Sequence, residues 1–345
     1  MAEYYFNLPP ETSLTPEQRA AIQHPAPIAL KGAPGTGKSV VSLRRHMAFH
    51  DSGRASLLLT FTTTLKTYLA RCCGGSVAAN YVRTSIAGKP LITEPFNEII
   101  VDEAQDLCPE YYKQLQPAFS VSFGADDSQI LYPENSSKYE DILAIFPGNR
   151  QFPLERNFRN TSAILKFARA ACPGAYIPHA TVESAKRDQE EKPIVLISGH
   201  AWDGGVNHKQ NNAIINIISQ FTAETHNVAV LVPWKKQVHE IEAVIKPHFP
   251  DCSFYYEDKH KFPRGATAIS NIHITTFKSC KGLEFDTVIM PDFEIIKKLD
   301  MLTPDKHVTW KDYYVAITRA RSNLFLISRK AIPGLQNVAT TENLS

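Results

Sequence analysis

The chain has 345 residues, enough for two ordinary domains that each bury a hydrophobic core. Hydrophobic residues make up 43% and charged residues 21%, as in soluble globular proteins, and the net charge of +2 excludes a globally basic nucleic-acid binder. The sequence contains no apolar run of membrane-spanning length and no recognisable signal peptide, and its six cysteines lack metal-ligand spacing. We therefore expect a cytoplasmic protein with no membrane partner and no structural metal.

The first predicted helix begins after Thr15, which suits the N-cap position and is followed by Pro16. Gln18 stands three residues after the cap, as in a capping box. An alternative role for Gln18 is to read the adenine edge of a nucleotide, because its amide both donates and accepts hydrogen bonds. The local sequence favours the cap, and the adenine role stays open.

A glycine-rich loop follows, with the pattern G-x-x-x-x-G-K-[ST]; it consists of Gly32, Ala33, Pro34, Gly35, Thr36, Gly37, Lys38 and Ser39. An apolar run at 28–30 precedes it and a helical pattern at 40–50 follows, which is the context that a phosphate-binding loop requires. Backbone N–H groups of such a loop bind phosphates, Lys38 reaches the β- and γ-phosphates, and Ser39 binds Mg²⁺. This context disfavours a simple glycine-rich turn, so the sequence predicts nucleotide binding.

Two carboxylates come directly after the apolar stretch 97–101, which follows a predicted strand at 55–62 and a helix at 63–73. Asp102 and Glu103 are expected at the carboxyl edge of a parallel sheet, where the phosphate loop also lies. Asp102 would hold Mg²⁺, and Glu103 would polarise the attacking water. A solvated acidic turn is the alternative, and the phosphate loop upstream disfavours it.

Gln129 follows a short predicted strand at 121–124 and is a candidate to contact the γ-phosphate or its water, although a polar turn has the same appearance.

The composition changes at 146–149, so we predict an ATP-binding domain at 1–149 and a second domain at 150–345. In the second domain, strands at 193–197 and 228–232 alternate with helices at 212–221 and 235–246, which predicts another parallel sheet.

An upstream glutamine followed by GAPGTGKS, TFT, VDEAQD and ADDSQ resembles the amino-terminal motor domain of superfamily 1 helicases of the UvrD, Rep and PcrA type. The later segments ERNFR, KGLEF and AITRAR resemble further motifs of that family, in the same order. The resemblance implies an α/β fold of two RecA-like P-loop domains, each a mainly parallel sheet flanked by helices. It also implies ATP and Mg²⁺ as cofactors.

The resemblance assigns nucleotide roles to residues of ERNFR, KGLEF and AITRAR. Phe158 would stack on the adenine, Arg159 would meet the γ-phosphate, and Glu284 would lie near the sugar. Arg319 would act as the arginine finger, bringing positive charge to the γ-phosphate as it leaves. In isolation, an arginine-rich helix end would mean only a favourable interaction with the helix dipole.

Nucleic-acid contacts are implied for Thr60 and Phe61 of TFT and for Lys278 and Ser279, which precede KGLEF. Lys278 stands where relatives often have histidine. A tryptophan-bearing segment that stacks on a base in relatives is missing, and Tyr132 is the nearest substitute. A tyrosine packed in a turn explains Tyr132 equally well.

Two departures from the family define the functional alternatives. Val40 replaces an arginine that packs on the base in relatives, and the large inserted subdomains do not fit into the short stretches 64–99 and 242–272. We expect an ATP-dependent DNA helicase or translocase that moves on single-stranded nucleic acid; the sequence does not distinguish DNA from RNA. The alternative is a helicase-derived regulatory ATPase that senses nucleic acid and acts through a partner protein such as a nuclease. A phosphate-loop kinase is disfavoured, because it leaves Arg159 and Arg319 unexplained.

Overall fold

The computed structural model describes residues 3–5, 8–116, 120–175, 177–185, 191–199, 207–257, 263–265, 269–299 and 308–344. The chain divides into two compact units. The phosphate-loop unit is Phe6–Phe158, and the carboxy-terminal unit combines Met1–Tyr5 with Arg159–Ser345. The compact unit thus ends after Phe158, whereas the composition change places the functional boundary at 149. The physical reason is that the strand at 150–154 pairs with the strand before the phosphate loop.

The phosphate-loop unit contains a parallel sheet whose strands run in the order β3-β2-β4-β5-β1-β6. Most of these strands are short apolar runs buried along most of their length, as in parallel sheets covered on both faces, whereas the edge strand at 150–154 is largely exposed. They are β1 (Ile28–Gly32), β2 (Ser56–Thr60), β3 (Val82–Thr84), β4 (Glu98–Val101), β5 (Val121–Ala125) and β6 (Arg150–Leu154).

Helices cover both faces of this sheet, as the alternation along β2 shows. Leu57 and Leu59 join one hydrophobic cluster, whereas Leu58 joins another on the opposite face. The helices are α1 (Pro16–Gln23), α2 (Lys38–Asp51), α3 (Thr63–Cys72), α4 (Ser85–Gly88), α5 (Pro109–Leu115) and α6 (Tyr139–Ile145).

The carboxy-terminal unit contains a second sheet in the order β10-β9-β11-β8-β12-β13-β7-β14. Only the β9–β10 pair is antiparallel among the strand pairs of the described residues. The strands are β7 (Ile194–Ile197), β8 (Val228–Val232), β9 (Ser253–Glu257), β10 (Pro263–Gly265), β11 (Ile272–Thr276), β12 (Phe285–Met290), β13 (Ala320–Ser328) and β14 (Thr340–Asn343). The helices are α7 (Ser162–Ala171), α8 (His179–Glu183), α9 (His208–Phe221), α10 (Lys235–Ile245) and α11 (Trp310–Ile317).

The predicted fold class is confirmed: the chain is α/β, with two RecA-like domains whose mainly parallel sheets are flanked by helices. The predicted division of roles between 1–149 and 150–345 stays a prediction. Within the described ranges, no helix combines the length and apolarity that a bilayer crossing demands.

Candidate functional site

The phosphate loop joins β1 to α2, and its glycines are required by its geometry. Gly35 and Gly37 have φ of 75° and 90°, in the left-handed region that favours glycine. A Cβ on Gly32 would lie 2.6 Å from the Leu154 carbonyl oxygen, too close for any side chain. Because α2 begins at Lys38, the loop ends at a helix N-terminus whose free N–H groups suit a phosphate.

The Lys38 side chain folds back over the loop. Its Nζ donates to the carbonyl oxygens of Gly32 at 2.8 Å and Ala33 at 3.2 Å. The same nitrogen lies 3.9 Å from Asp126 Oδ2, and both side chains are 7% exposed. The loop therefore holds a buried positive charge against its own backbone and beside a carboxylate.

Gln18 forms the predicted capping box and also contacts the phosphate loop. Its backbone N donates to Thr15 Oγ1 at 3.1 Å, and its Oε1 accepts from the Thr15 backbone N at 3.0 Å. Its Nε2 donates to the Thr36 carbonyl oxygen at 3.1 Å. Both ends of the amide thus have protein partners, and the role of Gln18 at an adenine remains a prediction.

Asp102 follows β4 and is almost fully buried. Within the described residues, neither of its carboxylate oxygens makes a hydrogen bond of regular geometry. Burial and the neighbouring Glu103 carboxylate raise the Asp102 pKa to about 7, while the nearby Ser39 hydroxyl and Lys38 ammonium act to lower it. A buried carboxylate without a strong partner, next to a hydroxyl, fits the oxygen ligands that Mg²⁺ prefers.

Glu103 has an uncommon backbone conformation for a side chain of its size. Its φ of 53° and ψ of 44° lie in the left-handed region, and among the described non-glycine residues only Asp292 shares a positive φ. Gln105 donates from Nε2 to Glu103 Oε2 at 2.5 Å. Backbone strain of this kind concentrates at functional sites, which agrees with the water-polarising role expected of Glu103.

Gln105 and Asp126 connect the two predicted catalytic residues Glu103 and Gln129. Gln105 Oε1 accepts from the Asp126 backbone N at 3.1 Å, and Gln129 Nε2 donates to Asp126 Oδ2 at 2.7 Å. The sequence reasoning missed both connecting residues. They lie inside VDEAQD and ADDSQ, and their positions within those motifs were the available signal.

The segment before the end of the phosphate-loop unit is attached to the phosphate loop. The Phe158 backbone N donates to the Gly35 carbonyl oxygen at 2.8 Å, and Asn157 Nδ2 donates to the Pro34 carbonyl oxygen at 2.7 Å. The Arg156 guanidinium lies over the Phe158 ring, 5.0 Å from its centroid. Phe158 is therefore beside the loop, as adenine stacking would require, and the stacking itself remains a prediction.

In the carboxy-terminal unit, Glu284 pairs with two arginines. Its carboxylate is 2.9 Å from Arg159 Nε and 3.4 Å from an Arg321 terminal nitrogen, and Arg321 also lies 3.7 Å from Asp286. Burial acts to raise the pKa of Glu284, but Arg159 and Arg321 outweigh it and keep that pKa below its usual value. Glu284 is thus charged and fixed by ion pairs; its role near a sugar remains a prediction.

Arg319 is buried directly after α11. Its Nε donates to the Val315 carbonyl oxygen at 3.0 Å, and one terminal nitrogen donates to the Leu283 carbonyl oxygen at 3.2 Å. These contacts hold the guanidinium within its own unit. The arginine-finger role stays a prediction.

The candidate nucleic-acid residues fall into two groups. In the phosphate-loop unit, the rings of Phe61 and Tyr132 lie 6.1 Å apart and are half-buried, while Thr60 is buried at the end of β2. In the other unit, Lys278 Nζ is 4.0 Å from Asp312, and the buried Ser279 hydroxyl accepts from the Glu257 backbone N at 3.3 Å. Their contacts with nucleic acid stay predictions.

Comparison with known proteins identifies one family. Residues 256–331, which include β11 to β13, match the model of the UvrD-like helicase C-terminal domain. No curated protein sequence matches the chain.

Three solved structures show similarity at low identity. The PRRSV helicase matches with a TM-score of 0.46 and 15% identity, over 91% of this chain and 54% of the viral chain. The arterivirus nonstructural protein 10 helicase, solved with DNA, matches with a TM-score of 0.45 and 14% identity, over 93% of this chain and 64% of the arterivirus chain. The C-terminal domain of a possible DNA helicase from Lactobacillus plantarum WCFS1 matches with a TM-score of 0.36 and 15% identity, over 53% of this chain and 98% of the bacterial domain.

The chain spans about half the length of the PRRSV helicase structure, of which it covers 54%. Since all three TM-scores lie below 0.5, the assignment rests on the 256–331 match and on the motifs described above. The match at residues 256–331 confirms the predicted resemblance to superfamily 1 helicases of the UvrD type.

Proposed function

We propose that the chain is an ATP-dependent motor of the UvrD-like helicase class, which couples ATP hydrolysis to movement along single-stranded nucleic acid. The observation that carries this proposal is the phosphate loop beside Asp102, a buried carboxylate that makes no hydrogen bond of regular geometry within the described residues, in a chain with a helicase-family segment. Phosphate loop, cation ligand and water-polarising carboxylate are the parts that ATP hydrolysis needs.

The phosphate-loop unit supplies the ATP-handling groups. The N–H groups of the loop and the Lys38 ammonium bind the phosphates, and Ser39 with Asp102 would hold Mg²⁺. A bound Mg²⁺ would offset negative charge on the phosphates. Glu103 orients the attacking water, and Gln129 reports on the γ-phosphate through its hydrogen bond to Asp126.

Two arginines of the carboxy-terminal unit are the proposed cations for the γ-phosphate. Arg159 pairs with Glu284, and Arg319 donates to backbone carbonyls in this structure. We expect both guanidiniums to stabilise the leaving phosphate by charge-assisted hydrogen bonds, with Arg159 held by its pair with Glu284.

Single-stranded nucleic acid is the proposed track. Phe61, directly after β2, and Tyr132, in the segment after β5, form an aromatic pair, and bases stack on such rings without sequence preference. Lys278 and Ser279 are the proposed backbone contacts. Single-stranded DNA is the expected substrate, and the experiment described next also tests RNA.

The decisive experiment measures ATP hydrolysis with Mg²⁺ while single-stranded DNA, duplex DNA or RNA is titrated. We expect stimulation by a single strand, and we expect Lys38→Ala and Glu103→Gln to lower kcat by about 100-fold or more. Lys31→Ala and Glu134→Gln, at exposed positions of the same unit, are matched controls that should keep wild-type rates. Hydrolysis that no nucleic acid stimulates would contradict the motor proposal.

A tailed-duplex assay separates the two functional alternatives. Strand separation by the isolated chain supports a helicase. Stimulated hydrolysis without strand separation supports an ATPase that acts through a partner protein, and co-purification of one stoichiometric partner would strengthen that reading.

A further inference from the structure

The amino-terminal strap, Glu3 to Tyr5, belongs to the carboxy-terminal unit although the residues that follow it build the other unit. Glu3 forms an antiparallel bridge with Ser270, and the Tyr4 backbone N donates to the Ile269 carbonyl oxygen at 3.0 Å. Backbone pairing therefore adds the strap to the loop that precedes β11.

Asn227 fixes the end of the strap. The Tyr5 backbone N donates to Asn227 Oδ1 at 2.8 Å, and Asn227 Nδ2 donates back to the Tyr5 carbonyl oxygen at 3.0 Å. The Tyr5 side chain, by contrast, is 43% exposed. The strap is thus anchored through its backbone on both sides of Tyr4, which sets the position of the Tyr4 ring.

The buried Tyr4 side chain reaches Glu284. Its hydroxyl donates to the Glu284 carbonyl oxygen and accepts from the Glu284 backbone N at 3.3 Å. The ring packs edge-on against Phe285, with centroids 5.7 Å apart. Glu284 stands just before β12 begins, so Tyr4 gives its backbone the two partners that a neighbouring strand would otherwise provide.

We infer that Tyr4 is a positioning residue for Glu284 and, through the Glu284 carboxylate, for Arg159 and Arg321. This inference rests on the proposed function, in which Arg159 acts on the γ-phosphate. Because the N–H and the C=O of Glu284 both have partners, rotation of its backbone is restricted, and its carboxylate then holds the Arg159 guanidinium in one place. Burial and the Glu284 charge raise the pKa of the Tyr4 hydroxyl, so the phenol keeps the proton that it donates.

Tyr4→Phe tests the inference, because it removes the hydroxyl and keeps the ring against Phe285. Tyr5→Phe is the matched control, since the Tyr5 side chain is exposed and only its backbone holds the strap. Two quantities are measured: steady-state ATP hydrolysis with saturating single-stranded DNA, and hydrogen exchange of the peptide that contains Glu284.

For Tyr4→Phe we expect kcat to fall about tenfold, a change of about 1.4 kcal/mol in the activation free energy, while KM for ATP stays within about threefold. We also expect the Glu284 amide to exchange about tenfold faster, because it loses its acceptor. Asn227→Ala loosens the strap without altering Tyr4, and it is expected to change both quantities in the same direction. Tyr5→Phe should change neither.

Two results would overturn the inference in an active enzyme: unchanged exchange at Glu284, or faster exchange with a wild-type kcat, which would reduce Tyr4 to a structural contact. An inactive wild-type chain would instead refute the proposed function. In that case the exchange measurement still tests the Tyr4 contact by itself, so the two failures are distinguishable.

Discussion

Arg45 of α2 and Glu98 of β4 form a bidentate ion pair in the interior of the phosphate-loop unit, with two N···O distances of 2.6 Å. Arg45 is 1% exposed and Glu98 2%. The remaining guanidinium N–H groups donate to backbone carbonyls at the end of α1 and in the loop after it, including His24 at 2.7 Å. The pair thus joins the helix that follows the phosphate loop to the strand that leads to Asp102 and Glu103.

Glu98→Ala should strongly destabilise the phosphate-loop unit, because it leaves the Arg45 charge buried without its partner. We expect a loss of about 3–5 kcal/mol in the free energy of unfolding, measured by urea denaturation. The matched control is Glu140→Ala, which breaks the exposed Lys31–Glu140 pair and should cost less than about 1 kcal/mol. Equal losses in the two variants would contradict a special role for the buried pair.

Gln105→Ala should slow ATP hydrolysis without weakening ATP binding. Gln105 holds the Glu103 carboxylate and the Asp126 backbone, and Glu103 is the proposed water-polarising group. We expect kcat to fall by about 10- to 100-fold, with KM for ATP changed less than about threefold. The exposed Gln114 provides the control, and a Gln105→Ala enzyme that matches Gln114→Ala would refute this positioning role.

Gly37→Ala should lower stability and nucleotide affinity by more than the positive φ of Gly37 alone predicts. A Cβ there would lie 2.4 Å from Gln18 Nε2, and the capping box with Thr15 restricts the movement of Gln18. Gly53 has a similar positive φ but open space around it, so Gly53→Ala pays the same conformational cost of about 1–2 kcal/mol.

We expect Gly37→Ala to lose about 1 kcal/mol more unfolding free energy than Gly53→Ala, because the Gln18–Thr36 hydrogen bond is broken. Affinity for a fluorescent ATP analogue should fall about tenfold in Gly37→Ala alone, which corresponds to about 1.4 kcal/mol. Similar nucleotide affinities in the two variants would show that Gln18 tolerates the added methyl group.

His46 should make stability depend on pH below 6.5. Its ring lies 2.8 Å from Ser56 Oγ and 3.0 Å from the Ala78 carbonyl oxygen, and burial lowers its pKa from 6.5 to about 4. The unfolded chain therefore takes up a proton at a higher pH than the folded chain. The stabilisation is complete above pH 6.5 and is lost as the pH falls toward 4.

From these two pKa values, the His46 contribution at pH 5 is a loss of about 2 kcal/mol relative to pH 8. Urea denaturation of the wild type and of His46→Gln at both pH values measures it. His46→Gln keeps one donor and one acceptor but cannot titrate, so the pH dependence of its stability should be about 2 kcal/mol smaller than that of the wild type, while buried His273, whose pKa is also lowered, contributes equally to both. The exposed His179 serves as the control, and a His179→Gln variant should retain the full pH dependence.

Local patterns predicted the α/β fold and the candidate residues of the phosphate-loop unit, because the physical signals of these features are local. The phosphate loop requires glycines at fixed spacing, and the strand before Asp102 is a continuous apolar run. VDEAQD and ADDSQ contain Gln105 and Asp126, but the hydrogen bond between these two positions, 21 residues apart, was not predicted because a local motif does not reveal a distant partner. Arg45 did have a local signal. It lies four residues after Val41 and four residues before Phe49, on the buried face of α2.

The sequence likewise could not predict which groups Arg159 and Arg319 contact. Motif order points to Arg159 and Arg319 as phosphate ligands, but motif order does not reveal that Glu284 and the Val315 carbonyl oxygen are their partners here. Tyr4 gave no signal at all, since an aromatic pair near a chain terminus resembles many unremarkable segments.

The strap makes translation order and assembly order differ. Tyr5 leaves the ribosome 222 residues before Asn227, and Tyr4 precedes Glu284 by 280 residues. The strap must therefore wait while residues 8–158 are made, and it finds its place only when β11 and β12 exist. Such long-range closure slows folding. A fragment expressed from residue 159 onward would carry Arg159, Arg319 and Glu284, yet it would lack the strap, which is made before the phosphate-loop unit and placed only after that unit.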